Sequence, residues 1–211
     1  MTRPTSVFVY VPNLIGYARI VLLLISCLFY TRNPGLFLIL YSINVILDGI
    51  DGAVARKLNQ CSAFGAWFDV VIDNFGRGMI WSRLYQWGCF IAMLEWLVFV
   101  CTHTLGAKWK MVIHETPWLV RKVMEKNFKT PIGTFTILGL HILPVWLYAH
   151  YTGLLTLLSI PKGVQYGGIA VLSAGRALCF VVELFFIWSH VLCLAVEDEV
   201  DKEKDTKKLD Q

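Results

Sequence analysis

Six long apolar blocks constrain the fold of this 211-residue chain more than any other feature. The blocks hold 18 to 28 residues each, and a helix needs about 20 residues to cross the hydrocarbon core of a bilayer. They lie at residues 11–30, 35–54, 63–80, 85–104, 132–151 and 168–195. Charged residues make up only 16% of the chain, whereas soluble domains carry about 25%. The sequence therefore predicts an all-α integral membrane protein with six transmembrane helices.

The remaining segments predict one membrane domain followed by a short tail. Residues 154–160 are apolar but too short to span a bilayer, so we interpret them as interfacial or re-entrant. Residues 197–211 mix both charge signs, which predicts a disordered cytoplasmic tail after a catalytic membrane domain at 1–196. The N-terminus lacks the pattern of a cleaved signal, and the cysteines form no CxxC pair, so we expect neither cleavage nor a zinc site.

The basic residues predict the orientation in the membrane. Six spans would put both termini on one side, together with thirteen lysines and arginines. Three would lie on the other side: Arg32, Arg83 and Lys162. Because positive charge concentrates on the cytoplasmic side of membrane proteins, we expect both termini there. Residues 108–129 could form an amphipathic interfacial helix that contacts anionic lipid headgroups.

Four aspartates lie at depths where membrane helices rarely carry charge, and ionisable residues there are usually functional. At about 100° per residue, each helix gathers two aspartates and two smaller residues on one face. These are Asp48, Asp51, Gly52 and Ala55 on the second helix, and Ser62, Gly65, Asp69 and Asp73 on the third. Since the connection between the two helices is short, we expect antiparallel neighbours with their acidic faces opposed.

Four opposed carboxylates predict a site for divalent metal, because they would otherwise repel each other. Hard oxygen ligands select Mg²⁺, Mn²⁺ or Ca²⁺ rather than zinc, and two such ions would suit a diphosphate. The small residues Gly52, Ala55 and Gly65 leave room for a nucleotide, although close helix packing would also explain them. Arg56 could bind phosphate or serve as an anchor at the cytoplasmic surface.

Residues 48–73 read D-x2-D-G-x2-A-R-x8-G-x3-D-x3-D, which resembles the signature of the CDP-alcohol phosphotransferase family. Within that family, the chain looks most like the eukaryotic phosphatidylinositol synthases. The resemblance lies in VPNLIGYARI at 11–20, LNQ at 58–60 and FGA at 64–66. It is strong over residues 8–75, weak over 76–200 and absent from the tail.

The resemblance implies phosphatidyl transfer from CDP-diacylglycerol to myo-inositol, giving phosphatidylinositol and CMP. It implies two Mg²⁺ or Mn²⁺ ions on Asp48, Asp51, Asp69 and Asp73, with Asp73 also as general base. It implies donor contacts at Gly52, Arg56 and Ser62, and small nucleotide-site positions at Ala55 and Gly65. It also implies a homodimer in the endoplasmic reticulum membrane with a cytoplasmic active site. We expect no nucleic-acid partner.

The acceptor side is predicted less directly. Arg176 aligns with a basic position of the family, and Arg77 lies one turn beyond Asp73, where Asn74 replaces the family's arginine. Glu95 stands where relatives show a polar Asp and His-Trp pattern. An ion pair with a helix aspartate is the alternative for Arg176, and charge compensation of the aspartates is the interpretation for Arg19. Lys110, Arg121 and Lys122 could also contribute to the acceptor site.

Three alternatives to inositol transfer stay open at this point. The first keeps the chemistry with another alcohol, such as glycerol 3-phosphate or serine. The second is a family member that binds metal or lipid without turnover. The third is an ion channel or transporter, because intramembrane acids can line ion paths; it leaves the glycines, alanine and arginine of the signature without a role.

Overall fold

The computed structural model describes the backbone of residues 5–103 and 116–209 and the side chains of residues 6–103 and 116–195. Within these ranges the chain forms nine helices and no strand. They are α1 Thr5–Phe8, α2 Val11–Phe29, α3 Pro34–Lys57, α4 Ala63–Leu84, α5 Gly88–His103, α6 Trp118–Met124, α7 Pro131–Tyr151, α8 Leu154–Leu157 and α9 Lys162–Leu209.

The six long helices, α2, α3, α4, α5, α7 and α9, coincide with the six apolar blocks, which confirms the all-α membrane class. Four are long and apolar enough to cross a membrane by composition: α2, α3, α7 and the Lys162–Ala195 part of α9. The fifth, α5, is apolar but has only 16 residues. The sixth, α4, carries Asp69, Asp73, Arg77 and Arg83 within its 22 residues. A crossing by all six helices stays a prediction.

Side-chain caps fix where the helices that carry the aspartates begin. The Asn33 side chain accepts a hydrogen bond from Leu36 N at 3.1 Å and is followed by Pro34, which starts α3. Ser62 Oγ accepts from Gly65 N at 2.9 Å and starts α4. Ser62, predicted as a donor contact, therefore also sets the register of the acids on α4.

The helices pack around α2 and α4 on one side and α7 and α9 on the other. Helix α2 contacts α3 and α4, α4 also contacts α5 and α7, and α9 contacts α5 and α7. The backbones of α7 and α9 touch, since a Cβ added to Gly139 would lie 2.3 Å from Arg176 N. A Cβ on Gly175 would likewise lie 2.6 Å from Phe135 O. Small residues allow this approach between membrane helices, and it fixes the position of Arg176.

The segments outside the long helices were predicted from composition. In 154–160 the structure has the short helix α8, and α9 continues to Leu209 through most of the tail. The acid–base spacing of Asp198 with Lys202 and of Glu203 with Lys207 is compatible with a helix there. The division at residue 196 and the disorder of 197–211 stay predictions.

The predicted interfacial helix at 108–129 is described only from residue 116, so Lys108 and Lys110 lie outside the described residues. There α6 buries Val120, Val123 and Met124 next to α9, while Trp118 is 73% exposed. The contact of this segment with lipid headgroups stays a prediction.

Candidate active site

Arg19 on α2 joins all four aspartates of α3 and α4 into one cluster, which we call the aspartate cluster. Arg19 Nη1 contacts Asp51 Oδ2 at 2.8 Å and Asp69 Oδ1 at 2.7 Å. Arg19 Nη2 contacts Asp48 Oδ1 at 2.8 Å and Asp73 Oδ1 at 2.7 Å. The Arg19 residue is 0% exposed. The contacts confirm that Arg19 reaches the acids and compensates part of their charge.

The cluster forms because three helices present matching faces. Asp48 and Asp51 lie three residues apart on α3, and Asp69 and Asp73 lie four apart on α4, so each pair shares one helix face. Helix α2 contacts both α3 and α4. Asn44 on α3 donates from Nδ2 to the Arg19 carbonyl at 2.8 Å, which ties the backbone of α2 to α3 at this level.

The cluster has the ligands and the charge to hold a divalent cation. Asp48, Asp51 and Asp69 each offer a ligand oxygen, and these oxygens lie within 4.8 Å of one another. One guanidinium faces four carboxylates, so Arg19 leaves three negative charges of the ionised cluster uncompensated. Carboxylate oxygens at this spacing suit a hard cation such as Mg²⁺ or Mn²⁺. The residues present therefore fit the metal that the motif implies.

A cavity of about 160 Å³ opens beside the aspartate cluster, and we call it the donor cavity. Every residue predicted to bind the donor lines it, together with two of the acids: Gly52, Ala55, Arg56, Ser62, Gly65, Asp51 and Asp69. A Cβ on Gly52 would lie 3.4 Å from Arg56 Nη1, so the glycine leaves space for the guanidinium at the cavity wall. The structure thus brings the predicted donor residues together around one space.

A second set of charges lies on the other side of Asp73, and we call it the arginine network. It consists of Arg77, Glu95, Arg176 and Glu183, all buried. Arg77 Nε contacts Glu95 Oε2 at 2.7 Å, and Arg176 Nη1 contacts Glu183 Oε2 at 2.8 Å. Arg176 Nη2 lies 3.6 Å from Glu95 Oε1. Two arginines thus face two glutamates, and the network is balanced in charge.

Arg77 connects this network to the aspartate cluster. Its Nη1 lies 3.4 Å from Asp73 Oδ2, and its Nη2 donates to Asn74 Oδ1 at 2.6 Å. Asn74 therefore holds the arginine of the next turn in place. The ion-pairing alternative for Arg176 applies, with glutamates rather than an aspartate as partners; the acceptor roles of Arg77 and Arg176 stay predictions.

His141 on α7 completes the surroundings of Asp73. Its Nδ1 lies 3.0 Å from Ile137 O, to which only a protonated Nδ1 can donate. Its Nε2 lies 3.0 Å from Arg77 Nη1, a donor, and 3.5 Å from Asp73 Oδ2. The Ile137 contact therefore indicates a proton on Nδ1, and Nε2 lies between Arg77 and Asp73.

A second cavity of about 10 Å³ lies between the two charged sets. Asp48, Asp73, Arg77 and His141 line it, together with Tyr41 and Asn44. Arg176 is not among its lining residues. Of the two arginines predicted to bind the acceptor, Arg77 therefore lines this cavity. Arg176 contacts Glu95, which in turn contacts Arg77.

The family model described as CDP-alcohol phosphatidyltransferase matches residues 9–165, about three quarters of the chain. The chain belongs to the CDP-alcohol phosphatidyltransferase family. The matched residues include the aspartate cluster, the lining of the donor cavity, Arg77 and His141, but end before Arg176. No solved structure matches the chain.

Several relatives of the chain have the same enzyme name. The chain is 33% identical over 153 residues to the CDP-diacylglycerol–inositol 3-phosphatidyltransferase of Drosophila melanogaster, covering 70% of this chain and 68% of that protein. It is 35% identical over 127 residues to enzyme 1 of that name from Arabidopsis thaliana, covering 55% of this chain and 56% of that protein. It is 49% identical over 69 residues to that of Candida albicans, covering 33% and 30%. The chain thus aligns with little more than half the length of the Arabidopsis protein.

The sequence did not assign roles to four residues that contact these sites. Glu183 and His141 are ionisable or polar residues inside apolar blocks, and that position alone could have marked them. Asn13 and Gln60, which also line the donor cavity, lie in the segments that carry the family resemblance. Their contacts reach across helices and could not be derived from spacing along the chain.

Proposed function

We propose that this protein transfers the phosphatidyl group of CDP-diacylglycerol to the hydroxyl of myo-inositol, giving phosphatidylinositol and CMP. The observation that carries the proposal is the aspartate cluster opening onto a cavity lined by every residue predicted to bind the donor. The shared name of the relatives from Drosophila, Arabidopsis and Candida supports the same reaction.

In this proposal the donor cavity holds the cytidine diphosphate part of the donor. The small residues Gly52, Ala55 and Gly65 leave space for the nucleotide, and Arg56 lies at the wall where a phosphate can pair with it. The exposed apolar faces of α2 and α3 leave the acyl chains in contact with lipid. The headgroup and the tails of the donor are thus accommodated by different parts of the same helices.

Asp48, Asp51, Asp69 and Asp73 would hold two Mg²⁺ or Mn²⁺ ions. When bound, such ions neutralise a diphosphate and stabilise the charge that develops on the departing CMP. Arg19 keeps the four carboxylates converged, since each of them gives one oxygen to its guanidinium. Asp48, Asp51 and Asp69 each keep one oxygen for a metal, whereas the second oxygen of Asp73 also faces Arg77 and His141.

In this proposal Asp73 acts as the general base. Its Oδ1 contacts Arg19, while its Oδ2 faces Arg77 and His141 in the second cavity. A carboxylate beside the acceptor hydroxyl takes its proton as the oxygen attacks phosphorus. The bond from phosphorus to the CMP oxygen then breaks, and CMP leaves with that electron pair.

The charge balance of the arginine network supports a neutral acceptor. An anionic acceptor such as glycerol 3-phosphate would need a cation without a carboxylate partner beside Asp73. Arg77 is paired with Glu95, and Arg176 with Glu183. A neutral polyol such as inositol needs only hydrogen-bonding groups, which Arg77, His141 and Asn44 supply.

A family member that binds the donor without turnover is the second candidate. The second cavity, at about 10 Å³, has room for about one water molecule and must widen before inositol can enter. Asn74 and Glu95, the two departures from the family pattern, both contact Arg77, which lines this cavity. These observations favour that candidate over a channel.

Turnover of labelled CDP-diacylglycerol in membranes that contain the full chain tests the proposal. With Mn²⁺ or Mg²⁺, we expect CMP release with inositol and none with glycerol 3-phosphate or serine. CMP release with one of the other alcohols would identify that alcohol as the acceptor in place of inositol. Donor binding without release for any acceptor would favour the second candidate.

The cellular setting follows from the family resemblance and from the basic residues. We place the protein in the endoplasmic reticulum membrane, with the active site and both termini on the cytoplasmic side. A homodimer is proposed on the resemblance alone.

A further inference from the structure

Asn13 lines the donor cavity, and the nitrogen of its side-chain amide already makes a hydrogen bond within the protein. The residue is 2% exposed, and its Nδ2 donates to Val7 O at 2.6 Å. Because a carbonyl oxygen only accepts, this bond fixes the orientation of the amide. Asn13 Oδ1 lies 3.0 Å from where a Cβ on Gly65 would be, next to the cavity. Within the described residues it has no donor.

Gln60 lines the same cavity in the complementary orientation. Its Oε1 accepts a hydrogen bond from Val11 N at 2.9 Å, which fixes the oxygen and leaves Nε2 as the outward group of the amide. In the part of the chain that the structure describes, Nε2 has no acceptor. The cavity therefore contains a fixed acceptor on Asn13 and a fixed donor on Gln60.

The position of this pair relative to the aspartate cluster suits a nucleotide. Gly65, which neighbours Asn13 Oδ1, lies one turn before Asp69 on α4. One turn of four residues is about 6 Å along the helix axis. A diphosphate at the acids would therefore place the attached nucleoside toward Asn13 and Gln60.

The two free amide groups match the edge of cytosine and not that of uracil. Cytosine presents an amino group as a donor where uracil presents a carbonyl oxygen. Next to it, N3 of cytosine is an acceptor, whereas N3 of uracil carries a proton. We propose that Asn13 Oδ1 and Gln60 Nε2 read this edge and select cytosine over uracil. The inference rests on the proposed function, because it assumes that the donor cavity holds the nucleotide.

Competition binding with the purified full-length protein tests the selection. Displacement of labelled CDP by unlabelled CDP, by UDP and by the diphosphate of the 4-deamino cytidine analogue gives three affinities for each variant. For the wild type we expect CDP to bind roughly 10- to 100-fold more tightly than UDP, as a pair of base contacts commonly provides.

Gln60→Glu is the sharper variant. A glutamate can still accept from Val11 N, but it presents an oxygen instead of Nε2 to the cavity. The CDP-to-UDP preference should then fall to about one, because uracil N3–H can donate to the new oxygen. Gln86→Glu, an exposed glutamine outside the cavity, is the matched control and should keep the wild-type ratio.

Asn13→Ala tests the other contact. This variant should bind CDP and its 4-deamino analogue equally, whereas the wild type should prefer CDP about tenfold. The ratio of two ligands on the same folded molecules is insensitive to a general loss of stability from the missing Val7 bond. A merely structural role for either amide would leave these ratios unchanged.

The outcomes separate the inference from the proposed function. Wild-type protein that binds CDP, with unchanged ratios in Gln60→Glu and Asn13→Ala, would overturn the inference alone. Wild-type protein that binds neither nucleotide would overturn the proposed function and the inference with it. Collapse of the ratio in Gln60→Glu, with the control unchanged, is the expected result.

Discussion

The two sides of Asp73 differ in how their buried charge is balanced. On the donor side, four carboxylates face one guanidinium next to a cavity of about 160 Å³. On the acceptor side, two arginines face two glutamates around a cavity of about 10 Å³. Asp73 belongs to both, with Oδ1 on Arg19 and Oδ2 toward Arg77.

This difference indicates what each side requires. Excess negative charge at membrane depth is costly, so the donor side is suited to bind cations. The acceptor side is balanced in charge without a ligand, and Asp73 Oδ2 faces its Arg77. Perturbing either side should therefore have distinct effects on binding, turnover and stability.

Asp73→Asn should have the largest effect, because Asp73 is common to both sides. We expect turnover to fall by about 10³-fold, within the range for loss of a general base. Nucleotide binding should change little, because Asp48, Asp51 and Asp69 keep the three-oxygen site. CMP release and CDP binding, measured on the same preparation, check the prediction. Turnover at the wild-type rate would exclude Asp73 as the base.

Glu95→Gln should lower the stability of the protein through the acceptor side and leave CDP binding on the donor side intact. It leaves Arg77 and Arg176 without a full counter-charge in a buried site, and breaking a buried ion pair costs about 3 kcal/mol. We expect a lower free energy of unfolding in detergent and retained CDP binding. Lys122–Glu125, an exposed ion pair, supplies the control: Glu125→Gln should cost less than about 1 kcal/mol. Equal effects of the two variants would refute the buried network.

Metal addition should stabilise the donor side. With free Mn²⁺ at about 100 times its dissociation constant, binding to the folded state adds about 2.7 kcal/mol of stability. We expect a higher Tm with Mn²⁺ for the wild type and for Glu95→Gln, but not for Asp51→Asn, which removes a ligand of the three-oxygen group. A metal-dependent shift that persists in Asp51→Asn would place the ion elsewhere.

The two sides also differ in how far the sequence predicts them. The donor side follows from spacing: aspartates three or four residues apart on neighbouring helices must share a face, and the cap at Ser62 keeps their register. The acceptor side depends on how α5 and α9 are rotated about their axes. That rotation comes from contacts such as Gly139 against the backbone at Arg176.

The same contrast holds within the donor cavity. The small residues and Arg56 were predicted from the family motif, whereas Asn13 and Gln60 were not assigned roles. Val11 and Gln60 are 49 positions apart in sequence, and their hydrogen bond exists only because the start of α2 meets the α3–α4 connection. Local patterns indicate which residues share a helix face, but not which faces close a cavity.

Labelling of Cys61 should give the smallest effect and the most direct report on the donor side. Cys61 is an exposed thiol that lines the donor cavity, whereas Cys193 is exposed on α9 and lies outside it. At CDP concentrations about ten times the dissociation constant, alkylation of Cys61 should slow about tenfold, because about nine tenths of the cavities are then filled. Alkylation of Cys193 should keep its rate, as should that of Cys61 in the presence of inositol alone. Mass spectrometry of peptides from timed reactions checks both thiols in one sample. Protection of Cys61 by inositol but not by CDP would mean that inositol, rather than the nucleotide, binds in the donor cavity.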